Sequence, residues 1–276
     1  MDTERYTVSN EEKGVTLLDF LAQRLGISRN AAKGLLNARH VFVNRKRIWM
    51  ARHPLRMRDV VEIVPHDSRP TKVSIATLYE DDDYIVVNKP AATLSNGPRS
   101  LEQRLQNQEQ ANWPCCVHRI DKDTTGCLLL ARHKEALEPA MQLFKRHDVN
   151  KVYRALVTGT VTPEEQTLET PIGGDSAISH VRVLDSNRES SHVSVRIETG
   201  RTHQIRKHLA GMGHPVIGDR QYGSRSKHSE KLTKVGRQML HAYGLQLKNP
   251  ISGGLIRAKA PLPHDFRRTL RLYGLT

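Results

Sequence analysis

Three segments in the later part of the chain have the residue pattern of β-strands. Residues 152–159 (VYRALVTG) and 192–199 (HVSVRIET) alternate apolar and polar side chains with a period of two, and residues 83–90 (DYIVVNKP) form an apolar run that stops at a proline. This alternation is typical of an antiparallel sheet with one covered face. Residues 134–147 are predicted to form a helix between strands. We therefore predict a mixed α+β domain over residues 74–276, with a mainly antiparallel sheet flanked by helices.

A smaller unit is predicted before this domain. Residues 16–25 (TLLDFLAQRL) carry leucines at helical spacing, and Ser28 is predicted to cap a second helix over residues 29–40. Strands are predicted at residues 41–43 and 60–64, followed by a polar segment with two prolines. The predicted organisation is a small domain over residues 14–66, a linker over 67–73 and the larger domain over 74–276.

The distribution of charge indicates the kind of partner. The 276 residues include 43 Lys and Arg against 29 Asp and Glu, a net charge of +14. Residues 220–276 hold 12 basic and 2 acidic residues, and residues 1–66 hold 12 and 7. Two basic regions at opposite ends of the chain favour a long polyanion over a small anionic metabolite. The alternative is a generic basic surface on a soluble protein.

The N-terminal unit has cations that could contact phosphates. They lie near the faces of the helical pair and in the turn after it: Arg29, Lys33, Arg39, Arg45 and Lys46. Charged residues on the helices of a small domain are as often simply solvated, so the charge alone leaves both interpretations open.

Composition also indicates the compartment. No apolar run approaches the ~20 residues that cross a bilayer, and the first ten residues lack the pattern of a signal peptide. The three cysteines, Cys115, Cys116 and Cys127, include no C-x-x-C pair, so neither a disulfide framework nor a zinc ribbon is indicated. We predict a cytoplasmic protein with no membrane partner.

The segment HRIDKDTTG, residues 118–126, places Asp121 among cations immediately before the apolar run of residues 127–131. One interpretation is a solvated turn with incidental ion pairs. The other is a carboxylate that is held ionised for chemistry. Cys116 and His118 are close in sequence, but a catalytic pair requires proximity in space.

The segment ETGRTHQIRKHLAGMGHPVIGDRQYG, residues 198–223, contains a predicted short helix over residues 203–210. Arg206 lies beside its apolar stripe, and an arginine near a domain interior usually has an anionic partner. Asp121 is one candidate partner, and other acids are available. The alternative of a metal site at His203, His208 and His214 is disfavoured, because their spacing does not put three ligands on one helical face.

Sequence motifs give no support for a cofactor. The glycines of this segment do not match G-x-G-x-x-G, and the chain has no G-x-x-x-x-G-K. Neither a nucleotide cofactor nor a metal is therefore expected. Tyr153 shares a strand face with apolar residues, so core packing is its default role. The alternative is a ring that stacks on a flat ligand with its hydroxyl near the chemistry.

HRIDKDTTG resembles the H-R-L-D-x-x-T-S-G motif of the RluA-type pseudouridine synthases. Further motifs of that family are matched in order by residues 79–91, 150–159, 198–223, 240–247 and 260–263. The N-terminal unit resembles the alpha-L RNA-binding module first seen in a small-subunit ribosomal protein. The matching residues are Leu18, Phe20, Leu21, Ser28, Arg29, Arg39, Val41 to Asn44, Asp59 and Val60, whereas Arg45 and Arg58 stand where that module usually has glycine.

The resemblance implies roles for individual residues. Asp121 would be the catalytic carboxylate, Arg206 would pair with it and hold it ionised, and Tyr153 would stack on the target base and serve in proton transfer. Arg119, with His118 beside it, would help to displace the uridine from its stack. The implied reaction breaks the glycosidic bond at nitrogen, rotates the uracil and rejoins it through carbon 5, which needs no cofactor.

The implied substrate is structured RNA, with large-subunit ribosomal RNA expected ahead of transfer RNA, and we expect a monomer. Two other functions explain part of the sequence. A non-catalytic ribosome-assembly factor would account for the charge and the N-terminal unit. An RNA glycosidase or nuclease could use Asp121 with a water molecule. We favour the synthase because the series of motifs is long and ordered.

Overall fold

The structure of the chain is a computed structural model that describes residues 4–37, 41–48, 50–63, 75–223, 231 and 234–276. The chain divides into two compact units, residues 1–74 and residues 75–276. The predicted linker, residues 67–73, and the predicted phosphate contact Arg39 lie outside the described residues.

The N-terminal unit packs two helices on a small sheet. Its elements are β1 (Glu4–Thr7), α1 (Leu17–Arg24), α2 (Arg29–Asn37), β2 (Val41–Val43), β3 (Lys46–Arg47) and β4 (Val60–Ile63). The strands pair antiparallel in the order β1-β4-β2-β3. Ser28 caps α2 as predicted, since its Oγ accepts the backbone N–H of Ala31 at 3.2 Å. Strand β1 lies N-terminal to the predicted range 14–66.

Two turns of this unit hold arginines in the left-handed region of backbone space. Asn44 (φ 50°) and Arg45 (φ 63°) connect β2 to β3, and Arg58 (φ 67°) precedes β4. Such a hairpin turn favours glycine at its second position, because a Cβ is crowded there. The Asn44 side chain joins the turns by donating to the Asp59 carboxylate at 2.8 Å. The turn shapes therefore form although Arg45 and Arg58 replace glycine.

The larger unit contains the remaining elements. They are β5 (Thr77–Glu80), β6 (Tyr84–Lys89), α3 (Leu101–Glu109), β7 (Cys115–Cys116), β8 (Thr125–Ala131), α4 (Lys134–Lys145), β9 (Asn150–Thr158), β10 (Glu165–Leu168), β11 (Ser179–Ser186), β12 (Ser190–Ile197), α5 (Gln204–Gly211), β13 (Leu240–Lys248), β14 (Leu255–Lys259) and α6 (His264–Leu272).

These strands form one sheet of ten, in the order β10-β11-β12-β9-β13-β8-β6-β5, with β14 beside β13 and β7 beside β8. The described strand pairs are antiparallel except β8 with β13, which is parallel, with His241 opposite Thr125. The predicted mixed α+β fold with a mainly antiparallel sheet is confirmed. The parallel pair lies in the interior of the sheet, and the segment 118–124 leads directly into it.

Central strands of the sheet are covered on both faces, and the expectation of one covered face is wrong for β9. All seven residues of β8 are buried. Leu128 and Leu130 on one face belong to a core cluster that also contains Ile205 and Leu209 of α5, whereas Leu129 and Ala131 on the other face belong to a cluster with Ala136 and Ala140 of α4. The alternation in β9 predicts that only the face with Tyr153 is covered, but Leu156 on the opposite face is buried in a cluster with Phe266 of α6. A helix that is distant in sequence therefore covers the strand face that the local alternation predicts to be exposed.

Candidate active site

A cavity of about 660 Å³ opens beside the segment 118–124 in the larger unit. Its lining includes Arg119 and Asp121 from that segment, Lys151 and Tyr153 from β9, and His203 at the start of α5. These residues come from three separate parts of the chain. The lining is rich in cations and includes the aromatic ring of Tyr153, which suits an anionic ligand that carries a flat apolar group.

The segment that carries Asp121 is fixed by the close approach of β8 to β13. Gly126 has φ +110°, and a Cβ at this position would lie 2.2 Å from the carbonyl oxygen of Ala242. A side chain would therefore separate the parallel strands. The glycine that ends HRIDKDTTG is required by this contact between backbones, and it sets the place where the segment enters the sheet.

Asp121 is one quarter exposed and receives its main contact from Arg206. Arg206 Nη1 donates to Asp121 Oδ2 at 3.1 Å. His203 Nε2 lies 3.8 Å from the other carboxylate oxygen. Because Arg206 is buried on the short helix α5, it brings a permanent positive charge to a carboxylate that faces the cavity. The predicted pairing of Arg206 with an acid is present, and Asp121 is one of its partners.

The stronger partner of Arg206 is Asp219, which the sequence analysis did not single out. Arg206 Nε and Nη2 donate to the two oxygens of Asp219 at 2.6 and 2.9 Å. Backbone N–H groups of Gln221 and Tyr222 donate to the same carboxylate. Burial acts to raise the pKa of Asp219, but these donors outweigh it and hold that pKa below its usual range. Asp219 thus anchors the guanidinium that reaches Asp121.

The helix start differs from the predicted range 203–210. Helix α5 begins at Gln204, and His203 takes the N-cap position with φ 57° and no capping bond from its side chain. This left-handed conformation turns the imidazole toward the cavity, where its Nδ1 lies 3.1 Å from the hydroxyl of Tyr222. The Tyr222 ring also lies under the Arg206 guanidinium at 5.0 Å. His203 is therefore a site residue that the sequence analysis weighed only as a metal ligand.

Tyr153 lies both in the core of the larger unit and at the wall of the cavity. Its ring belongs to the core cluster with Ile120 and Ile205, and it also lines the cavity. Burial, with the nearby Asp121 charge, raises the pKa of Tyr153 well above its usual range. The phenol therefore keeps its proton in the resting site. It offers a flat apolar face and a hydroxyl that can donate a hydrogen bond.

His118 and Arg119 lie in different surroundings. His118 Nε2 accepts the backbone N–H of Leu129 at 3.1 Å, and its ring stacks on Phe144 at 4.5 Å between centroids. Burial and the cation of Lys151 lower the pKa of His118 to about 3, so it is neutral and supplies no charge. Arg119 is exposed and lines the cavity. Of the two, Arg119 is the one suited to a phosphate or a displaced base.

Two lysines of the larger unit are buried with backbone carbonyls as partners. Lys151 Nζ donates to Glu198 O at 2.9 Å, and Lys89 Nζ donates to the carbonyls of Pro90, Thr93 and Lys122 at 3.0, 2.7 and 2.9 Å. Burial lowers the pKa of each lysine to about 8. Lys151 lines the cavity, so it adds a positive charge there near neutral pH.

The other histidines of the 198–223 segment are satisfied by the fold. His208 bonds Ser179 Oγ and the Thr170 carbonyl, and His214 bonds the Thr158 carbonyl. Within the described parts of the chain, no group of three or more His, Cys, Asp or Glu is arranged to hold a metal. Within the same parts, no helix is long and apolar enough to cross a membrane.

The cations of the N-terminal unit lie on its surface. Arg29 pairs with Asp19 at 3.1 Å and stays largely exposed. Lys33, Arg45 and Lys46 are also exposed. These side chains are accessible to a polyanion within the N-terminal unit.

Comparison with known proteins assigns the chain to a family. A profile of the RNA pseudouridylate synthase family matches residues 83–211. Ribosomal large subunit pseudouridine synthase D of Haemophilus influenzae is 30% identical over 296 residues, which cover 94% of this chain and 91% of the relative. The enzyme of the same name from Vibrio cholerae is 35% identical over 219 residues, covering 68% and 67%.

A solved structure agrees with this assignment. The structure of Human RNA Pseudouridylate Synthase Domain Containing 1 superposes with a TM-score of 0.59 at 26% identity, covering 72% of this chain and 86% of that one. The chain therefore belongs to the RluA-type RNA pseudouridine synthases. It is an enzyme of the isomerase class that acts on uridine in RNA.

Proposed function

We propose that this protein isomerises specific uridines of large-subunit ribosomal RNA, with Asp121 as its catalytic carboxylate. The observation that carries the proposal is the placement of Asp121 at the cavity with one oxygen 3.1 Å from the buried Arg206 guanidinium. The guanidinium attracts and orients the Asp121 carboxylate at the cavity where the base would bind. An anion at this point can attack as a nucleophile or stabilise a cationic sugar.

The reaction must break the bond between N1 of uracil and C1′ of ribose, turn the freed base and form the bond from C5 to C1′. The proton leaves C5 and N1 regains one, so atoms and charge balance without a cofactor. The freed uracil has to be held while it turns. The face of Tyr153 provides a stacking surface, and its protonated hydroxyl can donate to a carbonyl of the base during the transfer.

A uridine inside folded RNA has to leave its stack before it can reach Asp121. Such flipping costs a few kcal/mol, which contacts to the phosphates must offset. Arg119 is exposed and lines the cavity, which supports a role for it in filling the space that the base leaves. The basic C-terminal region, together with Arg29, Lys33, Arg45 and Lys46 of the N-terminal unit, supplies cations for the backbone.

The choice of ribosomal RNA rests on the named relatives, which modify the large ribosomal subunit. We infer that residues 14–66 act as an RNA-binding domain of the alpha-L type and that the protein works as a cytoplasmic monomer. Transfer RNA is the alternative substrate, and an assembly factor without activity is the alternative function.

The test uses RNA labelled with tritium at C5 of uridine, because pseudouridine formation releases that label into water. Ribosomal and transfer RNA from cells that lack the protein would be incubated separately with wild type and with Asp121→Asn. Release from ribosomal RNA by wild type alone supports the proposal. Release from transfer RNA alone would reassign the substrate, and equal release by Asp121→Asn would remove Asp121 from the chemistry. Free uracil in the products would identify a glycosidase.

A further inference from the structure

The backbone of the segment that carries Asp121 is held by hydrogen bonds to its carbonyl oxygens. Each of four consecutive carbonyl oxygens accepts a hydrogen bond: Ile120 O from Ser95 Oγ at 3.0 Å, Asp121 O from Thr124 N–H at 3.0 Å, Lys122 O from Lys89 Nζ at 2.9 Å and Asp123 O from Arg237 Nη1 at 3.0 Å. Two of the donors are the charged ends of buried side chains. Charge-assisted hydrogen bonds are about twice as strong as neutral ones.

Arg237 is the most distant of these donors in sequence, at 114 residues from Asp123. It lies just before β13, and its side chain is 7% exposed. Nε and Nη2 donate to the carboxylate of Asp265 at 2.7 and 3.0 Å. Nη1 donates to the carbonyls of Asp123 at 3.0 Å and Gln238 at 2.9 Å, with Leu240 at 3.3 Å. The Arg237 guanidinium is thus hydrogen-bonded to the start of α6, the start of β13 and the Asp121 segment.

A second bond continues this connection into β8. Thr125 Oγ1 accepts from Arg237 Nη2 at 3.5 Å and lies 2.8 Å from His241 Nδ1. His241 Nε2 lies 3.1 Å from the carbonyl of Ala260. Burial lowers the pKa of His241 to about 4, so the ring is neutral, and it donates from Nε2 and accepts from Thr125. The parallel strands β8 and β13 are therefore joined by side chains at the point where the Asp121 segment ends.

We propose that Arg237 is a positioning residue for the isomerisation. Its guanidinium fixes the carbonyl of Asp123, and with Lys89 it keeps the carboxylate of Asp121 within reach of Arg206 and the bound uridine. This role rests on the proposed function of Asp121. Arg237 is not among the described residues that line the cavity, so we assign it a role that acts through the segment it holds. A misplacement of ~1 Å in a catalytic group can cost about 10²-fold in rate.

The test compares Arg237→Gln and Arg237→Lys with wild type. Arg188→Gln is the matched control, since Arg188 is an exposed residue in the turn between β11 and β12. The substrate is total RNA from cells lacking the protein, labelled with tritium at C5 of uridine. Initial rates give kcat and apparent KM, filter binding gives Kd, and circular dichroism checks folding.

We expect Arg237→Gln to lower kcat by about 10- to 100-fold, within the range that a misplaced group produces. KM and Kd should stay within about twofold of wild type, because phosphate contacts are unaltered. Arg237→Lys keeps the buried charge, but its single nitrogen cannot satisfy Asp265 and the carbonyls together, so kcat should fall by about 3- to 10-fold. Arg188→Gln should behave as wild type.

Wild-type kcat in the lysine variant would overturn the proposal, even where the glutamine variant fails to fold. A loss confined to KM and Kd would also overturn it, because a positioning residue acts on the chemical step. These results are separate from a failure of the proposed function. That failure would appear as activity in Asp121→Asn or as no tritium release by wild type.

Discussion

Arg206 and Arg237 form the same kind of ion pair in different surroundings, which allows one substitution to be compared at two sites. Each arginine donates from Nε and Nη2 to both oxygens of an aspartate. The side chain of Asp219 is 0% exposed, whereas that of Asp265 is 50% exposed. Replacement of either aspartate by asparagine removes the charge with almost no change in volume.

The structure gives different magnitudes for the two substitutions. In Asp219→Asn, the buried Arg206 guanidinium loses the closer of its two anionic partners and keeps only Asp121 at 3.1 Å, and the new amide N–H groups face the N–H donors that the Asp219 carboxylate accepts. Removal of one partner from a buried pair costs about 3–5 kcal/mol. In Asp265→Asn, a half-exposed pair is lost while the guanidinium keeps its carbonyl acceptors, so the cost should be about 0–1 kcal/mol. The expected difference in the free energy of unfolding is therefore about 3 kcal/mol.

Urea unfolding of the whole chain, with both variants and wild type at one pH, measures this difference. Tritium release adds a second readout, since loss of the Asp219 anchor should lower kcat by about 10²-fold as Arg206 shifts relative to Asp121. A cost below about 1 kcal/mol for Asp219→Asn, or equal costs for the two variants, would refute the reasoning from burial.

Three further substitutions test separate parts of the structure. Gly126→Ala should destabilise the fold by about 3 kcal/mol or more, because φ is +110° and the new Cβ would lie 2.2 Å from Ala242 O. Gly211→Ala is the control in the same urea experiment and should show no such loss, because the space around Gly211 is open. Burial lowers the pKa of Lys151 to about 8. Between pH 8 and the ordinary value of about 10.5 the unfolded chain holds this proton more tightly than the folded chain, so the stability of wild type relative to Lys151→Met should rise over that window by at most about 3 kcal/mol. A difference in the free energy of unfolding that stays constant between pH 7 and pH 10 would contradict this. Arg45→Gly should stabilise the N-terminal unit by up to about 1 kcal/mol because φ is 63°, and hydrogen exchange in β2 and β4 would show slower opening; unchanged or faster exchange would argue against strain there.

Local pattern predicted much of the fold. The period of two identified β9 and β12, leucine spacing identified α1, and the hydroxyl of Ser28 identified the start of α2. These signals lie within a few consecutive residues, so they can be recognised in a single sequence. The parallel pairing of β8 with β13 was not predicted, because it joins Thr125 to His241 and no local pattern encodes that contact.

Some residues of the site were predicted from the sequence and others were not. Asp121, Tyr153 and Arg206 were named from their motifs, and the structure brings them to one cavity wall or its edge. Asp219 was missed although it lies in the quoted segment GDRQYG, because an aspartate in a turn has many uses and its burial is a tertiary property. Arg237 was missed for the same reason. Its partners lie 28 and 114 residues away, and only the folded chain brings them together.

We propose that the enzyme converts uridine to pseudouridine in ribosomal RNA with Asp121 as its catalytic carboxylate. The most direct measurement is pseudouridine mapping at single-nucleotide resolution in RNA from cells that lack the protein, after addition of purified wild type or Asp121→Asn. We predict one or a few new sites in large-subunit ribosomal RNA with wild type and none with Asp121→Asn. The same sites with both proteins would contradict the role of Asp121, and no new site in that RNA with either would contradict the assigned substrate.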